Sequence, residues 1–162
     1  MLIRPGTRAD LGAMMAIYNR VVVTSAATFD LEPLDHEQQE AWIARFDGGE
    51  HPLLVAEDES GVIGFAYYVG FRGKPGYART KETTVYVAER ARRQGVAKAL
   101  YEELFACARA AGLHVLVAGI GGHNPASEDF HRAMGFELAG RLREVGLKFG
   151  AWQDVAFWTR AP

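Results

Sequence analysis

The chain lacks the features that mark several large protein classes. It has one cysteine, Cys107, among 162 residues, so no internal disulfide can form, which fits a reducing compartment. No uninterrupted apolar stretch approaches the roughly 18 to 20 residues that a membrane-spanning helix needs. The first ten residues, MLIRPGTRAD, carry charge early and have no apolar run typical of a signal peptide. We therefore expect a cytoplasmic protein without a membrane span.

The sequence also lacks an excess of charge of one sign. It has 18 basic and 20 acidic residues, a formal net charge of -2, whereas nucleic-acid-binding proteins are usually basic. Its five histidines are scattered, and His123 and His131 do not have the spacing of zinc ligands. Apolar residues make up 49% of the chain and charged residues 23%, which is typical of globular proteins. We expect one globular domain over residues 1–162, with no metal and no nucleic-acid partner.

Apolar periodicity and turn signals predict an α/β protein with a mixed sheet. The predicted order is one strand, two helices, three strands, a helix, a strand, a helix and two strands. A third helix, running to about residue 111, connects two strands and makes one parallel pair, while the other pairs are antiparallel. The predicted strands span residues 2–4, 53–57, 62–69, 83–87, 114–120, 136–145 and 151–159. The apolar face predicted for the third helix consists of Val96, Leu100, Leu104, Cys107 and Ala111.

The segment RRQGVAKAL, residues 92–100, follows the strand ETTVYV and begins the third helix. A helix N-terminus leaves backbone N–H groups without partners and carries a partial positive charge. Small residues at Gly95 and Ala97 would let an anion approach this backbone, and Arg93 and Lys98 would add positive charge. The segment therefore predicts a phosphate site; the alternative is an ordinary basic helix start exposed to solvent.

Several segments together resemble the GCN5-related N-acetyltransferases (the GNAT family). The pattern Arg92-x-x-Gly95-x-Ala97 is followed by Asn124 and Ser127 at the offsets of that family. The resemblance is closest to the phosphinothricin and methionine sulfoximine acetyltransferase branch. The segments that carry it are Ala27-Thr28-Phe29, ETTVYV at 82–87, LVAGI at 116–120, His131, Gly135-Phe136 and VGLKFGAWQDVAFW at 145–158.

The resemblance implies a GNAT fold, with a mostly antiparallel sheet of about seven strands flanked by four helices. It implies acetyl-CoA as cosubstrate, a small amino acid or analogue as acceptor, direct transfer through a ternary complex, and a homodimer. The alternatives are an enzyme acting on a peptide or protein amine, or a non-catalytic CoA-binding module. The residues that the resemblance assigns to acetyl-CoA are Val85, Tyr86, Val87, Arg92, Arg93, Gln94, Gly95, Val96, Ala97, Lys98, Asn124 and Ser127.

Acetyl transfer needs a base, because an aliphatic amine with a pKa of about 10 is protonated near neutral pH. The resemblance assigns this role to Glu82, at the start of its predicted strand; the alternative is a surface charge at the strand end. His131 occupies the position of an acid to the leaving thiolate, and it could equally only pack or bond the cofactor.

The resemblance assigns the acceptor to two loops. The residues it places there are Thr28, Phe29, Arg72 and Tyr77. A guanidinium can hold a substrate carboxylate through two hydrogen bonds. Whether Arg72, Lys74 or Arg79 would do so stays open at this point.

Overall fold

One seven-stranded sheet forms the frame of the protein, and a computed structural model describes it over all 162 residues. The strands are β1 Leu2–Pro5, β2 Leu53–Asp58, β3 Gly61–Gly70, β4 Thr80–Val87, β5 Val115–Gly121, β6 Glu137–Lys148 and β7 Ala151–Arg160. The helices are α1 Leu11–Thr24, α2 His36–Ala44, α3 Val96–Ala110 and α4 Pro125–Ala133. The predicted order of elements and the predicted number of strands and helices are confirmed. No helix is both long and apolar enough to cross a membrane.

The helix starts follow local sequence signals. At the start of α2 the carboxylate of Asp35 accepts a hydrogen bond from the backbone N–H of Gln38 at 2.9 Å. The side-chain carbonyl of Gln38 accepts in return from the N–H of Asp35 at 3.0 Å. This is the reciprocal capping arrangement that the Asp-x-x-Gln spacing predicts.

The strands lie in the order β1-β2-β3-β4-β5-β7-β6. All neighbouring pairs are antiparallel except β4 and β5, which α3 connects. The predicted parallel pair after the third helix is therefore confirmed. The pair is short, because only Thr80–Glu82 of β4 aligns with Val115–Val117 of β5. Beyond Glu82 the two strands separate, and the sheet opens into a fork.

This pairing corrects the expected start of β4. The strand was predicted from Thr83, with Glu82 at its opening, but it begins at Thr80. The three earlier residues join the strand because each has a partner in β5, a contact between distant parts of the chain. Glu82 consequently lies inside the strand and is the last residue of β4 to face β5.

Helix α3 covers one face of the sheet with a wider apolar stripe than predicted. Val96, Leu100 and Leu104 are buried as expected, but Cys107 is only half-buried and Ala111 lies exposed just after the helix end. The stripe instead extends to Tyr101, Phe105 and Ala108. It widens because α3 packs both on the sheet and against aromatic rings near α4, including Phe130 and Phe136.

Candidate active site

The fork between β4 and β5 opens into a cleft of about 780 Å³, a volume typical of small-molecule sites. On the side away from β3, residues 83–87 of β4 have no strand partner. The N-termini of α3 and α4 and the C-terminal part of α1 complete the walls. The predicted residues that line the cleft are Val85, Tyr86, Val87, Arg92, Arg93, Gly95, Val96, Ala97, Lys98, Asn124 and Ser127.

The start of α3 forms the basic end of the cleft. Gly95 is the residue before the helix and has a φ of +80°, a conformation that glycine adopts without strain. The backbone N–H groups of Val96, Ala97 and Lys98 have no acceptor in the chain, as expected for a first helical turn. A Cβ atom at Gly95 would meet no other atom within 4 Å. The approach to these N–H groups is therefore open, which fits a phosphate-bearing ligand.

The predicted basic segment does not act as one unit. Arg92 and Arg93 line the cleft and are exposed, and Lys98 lies 3.8 Å from Glu102 in an exposed ion pair. Gln94 does not line the cleft, because its side-chain amide donates to the carbonyl of Arg90 at 2.9 Å. We infer that Gln94 shapes the turn before α3.

Asn124 caps α4 from the opposite wall. Its side-chain carbonyl accepts a hydrogen bond from the N–H of Ser127 at 3.1 Å. Its side-chain NH₂ has no partner in the chain and belongs to a cleft-lining residue. Asn124 can therefore donate a hydrogen bond to a ligand that lies along the open edge of β4.

Glu82 lines a smaller cavity of about 190 Å³ that adjoins the cleft at the fork. Its carboxylate lies over Gly119 of β5, where an added Cβ would come within 3.4 Å of Oε1. It makes no hydrogen bond in the chain. Burial raises the pKa of Glu82 above its usual range, and the positive charge of Arg72 partly opposes this rise. A carboxylate with a raised pKa beside a ligand cleft is suited to accept a proton.

His131 lines the same cavity and is buried. Its Nδ1 lies 2.7 Å from the carbonyl oxygen of Ser127, and its Nε2 lies 3.0 Å from the hydroxyl of Tyr101. Burial lowers the pKa of His131, although the contact with Ser127 opposes this shift. Both ring nitrogens therefore have partners inside the chain.

Tyr101 lines the cavity, but the sequence did not point to it. It is fully buried, and its hydroxyl lies 3.3 Å from that of Thr83 as well as 3.0 Å from His131. The only signal was a tyrosine within the apolar side of α3, and such a residue usually belongs to the core. Its contact with His131 depends on the packing of α3 against α4.

The four predicted substrate residues lie outside both the cleft and the cavity. The ring of Phe29 packs against Gly121 and Gly146, and the hydroxyl of Thr28 lies 2.8 Å from that of Tyr18. Their neighbours in the loop after α1, Ala26 and Ala27, do line the cleft, and Ala27 also lines the cavity.

The second loop, residues 71–79, contributes one charge that acts on Glu82, the guanidinium of Arg72. Arg72 is exposed, lies over the ring of Phe71 at 4.9 Å, and is the cation that acts on the pKa of Glu82. Tyr77 packs edge-on against Phe71 and is exposed. Lys74 and Arg79 are also exposed. Among the three candidates for a carboxylate clamp, the charge of Arg72 alone acts on Glu82.

The site combines an open strand edge, a helix N-terminus with free N–H groups and a carboxylate at the fork, which are the groups that an N-acetyltransferase using acetyl-CoA requires. Residues 3–157 match the model of the acetyltransferase (GNAT) domain family. The chain belongs to this family.

Named relatives cover nearly the whole chain. The protein is 40% identical over 156 residues to an L-methionine sulfoximine/L-methionine sulfone acetyltransferase of Pseudomonas aeruginosa. The alignment covers 96% of this chain and 91% of the relative. Its fold matches a phosphinothricin acetyltransferase from Sinorhizobium meliloti, solved with AcCoA, with a TM-score of 0.94, 37% identity and coverage of 99% and 87%. It also matches a ribosomal-protein-alanine N-acetyltransferase from Brucella melitensis, with a TM-score of 0.95, 41% identity and full coverage of both chains.

Proposed function

We propose that the protein moves an acetyl group from acetyl-CoA to the amine of a small amino acid or analogue of the methionine sulfoximine and phosphinothricin type. The observation that carries this proposal is the position of Glu82, in a cavity of about 190 Å³ at the fork. A cavity of this size suits a small acceptor. The names of the Pseudomonas and Sinorhizobium proteins support the same class of acceptor.

The cleft residues fit the cosubstrate. In the proposed complex, the N–H groups of Val96, Ala97 and Lys98 bind the pyrophosphate, with charge from Arg92 and Arg93. The open edge of β4 at Val85, Tyr86 and Val87 accepts the pantetheine arm as an added strand would, and Asn124 donates from the other side. Cofactor binding by these residues is a proposal that rests on their placement around the cleft.

Glu82 acts as the base in the proposed reaction. It takes a proton from the acceptor ammonium, directly or through a water molecule. The neutral amine then attacks the thioester carbonyl carbon, the new C–N bond forms, and the C–S bond breaks. The backbone N–H of Val87 donates to the carbonyl oxygen as negative charge develops there. The electron pair of the broken bond leaves with sulfur as a thiolate, whose thiol has an ordinary pKa of about 8.5. The extra proton on the attacking nitrogen passes through water to this thiolate, which gives the neutral amide and free CoA.

For His131 we favour the structural role over the acidic role. Its single ring proton in the neutral state donates to the carbonyl of Ser127, so none is free for a leaving thiolate. Its lowered pKa also keeps the charged form rare near neutral pH. We propose that His131 fixes Tyr101 and the end of α4 beside the cleft.

A second candidate acceptor is a peptide or protein amine. The likeness to the ribosomal-protein-alanine N-acetyltransferase from Brucella melitensis favours it. The small cavity beside Glu82 argues against a peptide, whose chain would have to extend out of it. A non-catalytic CoA-binding module is disfavoured by the carboxylate of Glu82 at the fork.

Release of free thiol from acetyl-CoA distinguishes these functions. The panel contains methionine sulfoximine, methionine sulfone, phosphinothricin, the common amino acids, and peptides with an N-terminal alanine. We expect turnover with one or more of the small analogues and none with the peptides. Turnover only with peptides would favour the second candidate. Tight CoA binding with no thiol release would favour the module. Glu82→Gln is the control for background hydrolysis.

We also propose that the protein acts as a homodimer through the β6–β7 hairpin. β6 is an edge strand, and nearly all its residues are exposed. An exposed edge strand that carries large apolar side chains is typical of an interaction surface. We define the hairpin patch by its large hydrophobic side chains, each between 51 and 61% exposed: Leu138, Leu142, Val145, Leu147, Phe149 and Trp152. A second copy can pair with the same patch symmetrically.

The cytoplasmic location expected from the sequence stays a prediction.

A further inference from the structure

The loop after α1, residues 25–30, forms one wall of the cleft but contains no helix or strand of its own. Its conformation therefore depends on contacts with the rest of the protein. The segment VGLKFGAWQDVAFW, shared with the acetyltransferase branch, supplies several of them. No step of the proposed reaction uses this segment.

Lys148 makes the longest-range of these contacts. Its ammonium group donates to the backbone carbonyl of Thr28 at 2.8 Å, across 120 residues of sequence. The residue is only 3% exposed, which is rare for lysine. Burial lowers the pKa of Lys148, and the nearby carboxylate of Asp30 opposes that shift. A buried ammonium that bonds one backbone carbonyl restricts the path of the loop at that point.

Glycines on β5 and β6 shape the other side of the loop. A Cβ at Gly146 would lie 2.5 Å from the ring of Phe29, and a Cβ at Gly121 would lie 2.5 Å from the carbonyl oxygen of Ala26. These approaches are closer than any side chain allows. The loop is thus seated directly against the backbone of both strands.

Tyr18 of α1 makes the remaining tie. Its hydroxyl lies 2.8 Å from that of Thr28 and also bonds the carboxylate of Asp30. Thr28 is therefore held through its carbonyl by Lys148 and through its side chain by Tyr18. Ala27, the residue before Thr28, lines the cavity that contains Glu82.

We propose that Lys148 is a positioning residue for the acceptor: it fixes Thr28, and through it the wall formed by Ala26 and Ala27 opposite Glu82. This inference rests on the proposed function, because it assumes that the acceptor occupies the Glu82 cavity. Thr28 and Phe29 then anchor the wall rather than contact the acceptor. Specificity for the acceptor comes from the position in which these two residues hold the wall. Small displacements of such a wall reduce turnover strongly.

The test uses Lys148→Met, which keeps an unbranched side chain out to Cε and removes the ammonium group. The matched control is Lys81→Met, which removes another lysine with low exposure, one that pairs with Glu50 at 3.8 Å. We expect the KM for the amine acceptor to rise roughly tenfold in Lys148→Met. The KM for acetyl-CoA should stay within twofold of the wild-type value, and Lys81→Met should match the wild type in both.

A second variant separates positioning from general loss of structure. Tyr18→Phe removes the other tie to Thr28, so it should raise the same acceptor KM. In the double variant the acceptor KM should rise by less than the product of the two single fold-changes, because Lys148 and Tyr18 both hold Thr28. An unchanged acceptor KM in a folded Lys148→Met protein would overturn the proposal. So would an equal rise in both KM values.

Hydrogen exchange gives a readout that does not depend on the proposed function. The amides of residues 26–30 should exchange faster in Lys148→Met than in the wild type and Lys81→Met. If no acceptor on the panel is acetylated but exchange is faster, the proposed function fails and the positioning of the loop stands. If an acceptor is acetylated normally and exchange is unchanged, the positioning role is wrong and the proposed function stands.

Discussion

The Nε2 atom of His131 lies 3.0 Å from the hydroxyl oxygen of Tyr101, and both side chains are buried beside the cavity that contains Glu82. The other ring nitrogen lies 2.7 Å from the carbonyl of Ser127. Because a carbonyl oxygen only accepts, Nδ1 carries the proton, and neutral His131 accepts the hydroxyl proton of Tyr101 at Nε2. The pair joins α3 to α4 at the inner end of the cleft.

Tyr101→Phe should lower the free energy of unfolding by about 1–3 kcal/mol, because it leaves the buried Nε2 of His131 without a partner. Urea unfolding measures this. Tyr68→Phe is the control, since the Tyr68 side chain is also buried, but its hydroxyl makes no hydrogen bond in the chain and keeps some contact with solvent. Equal losses in the two variants would show that the contact with His131 adds nothing.

The lowered pKa of His131 predicts a dependence of stability on pH. The folded protein resists protonating this ring, whereas the unfolded chain binds a proton near the ordinary histidine pKa of about 6.5. The contribution to stability is therefore complete above pH ~6.5 and is lost as pH falls from there toward the folded-state pKa. The free energy of unfolding of His131→Gln should fall less steeply over that range than that of the wild type. Identical slopes would contradict the assignment.

Arg72 should set the acid limb of activity through Glu82. Its positive charge favours the ionised carboxylate and so holds the pKa of Glu82 lower than burial alone would. In Arg72→Gln the carboxylate of Glu82 should therefore protonate at higher pH. The acid limb of the profile of kcat against pH should shift to higher pH. The control is Arg109→Gln, an exposed arginine on α3. A limb that does not move would remove either Arg72 or Glu82 from the mechanism.

Gly95→Ala should weaken acetyl-CoA binding by roughly tenfold, measured by calorimetry. The side chain would project at a φ of +80°, beside the N–H groups that we assign to the pyrophosphate. Gly112→Ala is the matched control, because Gly112 has a φ of +65° at the other end of α3 and an equally open environment. Both variants carry similar backbone strain. Only the first should lose affinity; equal affinities would place the phosphate elsewhere.

The hairpin patch should control assembly. Leu142→Lys with Trp152→Lys places two charges within the hairpin patch, so the double variant should dissociate at concentrations where the wild type is a dimer. Sedimentation velocity over a concentration series measures this. Leu2→Lys, on the opposite edge strand β1, is the control. A monomeric wild type at every concentration would refute the proposed dimer.

Local signals in the sequence predicted most of the fold. The capping pair Asp35 and Gln38, the glycine before α3 and the turn at residues 58–61 are each determined by neighbours a few residues apart. The start of α3, with its free backbone N–H groups, was predictable for the same reason, because such groups at a helix N-terminus need no distant partner. The parallel pair followed from the crossover through α3.

The details of distant contacts were not predictable, even where the pairing of two strands was. The start of β4 depends on pairing with β5, and the width of the α3 stripe depends on rings beyond it such as Phe136. Tyr101 next to His131, and Lys148 bonded to Thr28, join segments 30 and 120 residues apart. A single sequence carries no periodic signal for such contacts. The sequence therefore identified the cosubstrate, whose motif lies at one helix start, better than the acceptor, whose site depends on contacts between distant segments.

The most direct test of the central claim is a crystal structure with CoA and methionine sulfone. We expect electron density for the acceptor in the cavity at the fork, with its amine within hydrogen-bond distance of the Glu82 carboxylate, or one water molecule away. Its carboxylate should face Arg72. An acceptor bound elsewhere, with no contact to Glu82, would contradict the proposed mechanism even if CoA occupied the cleft as expected.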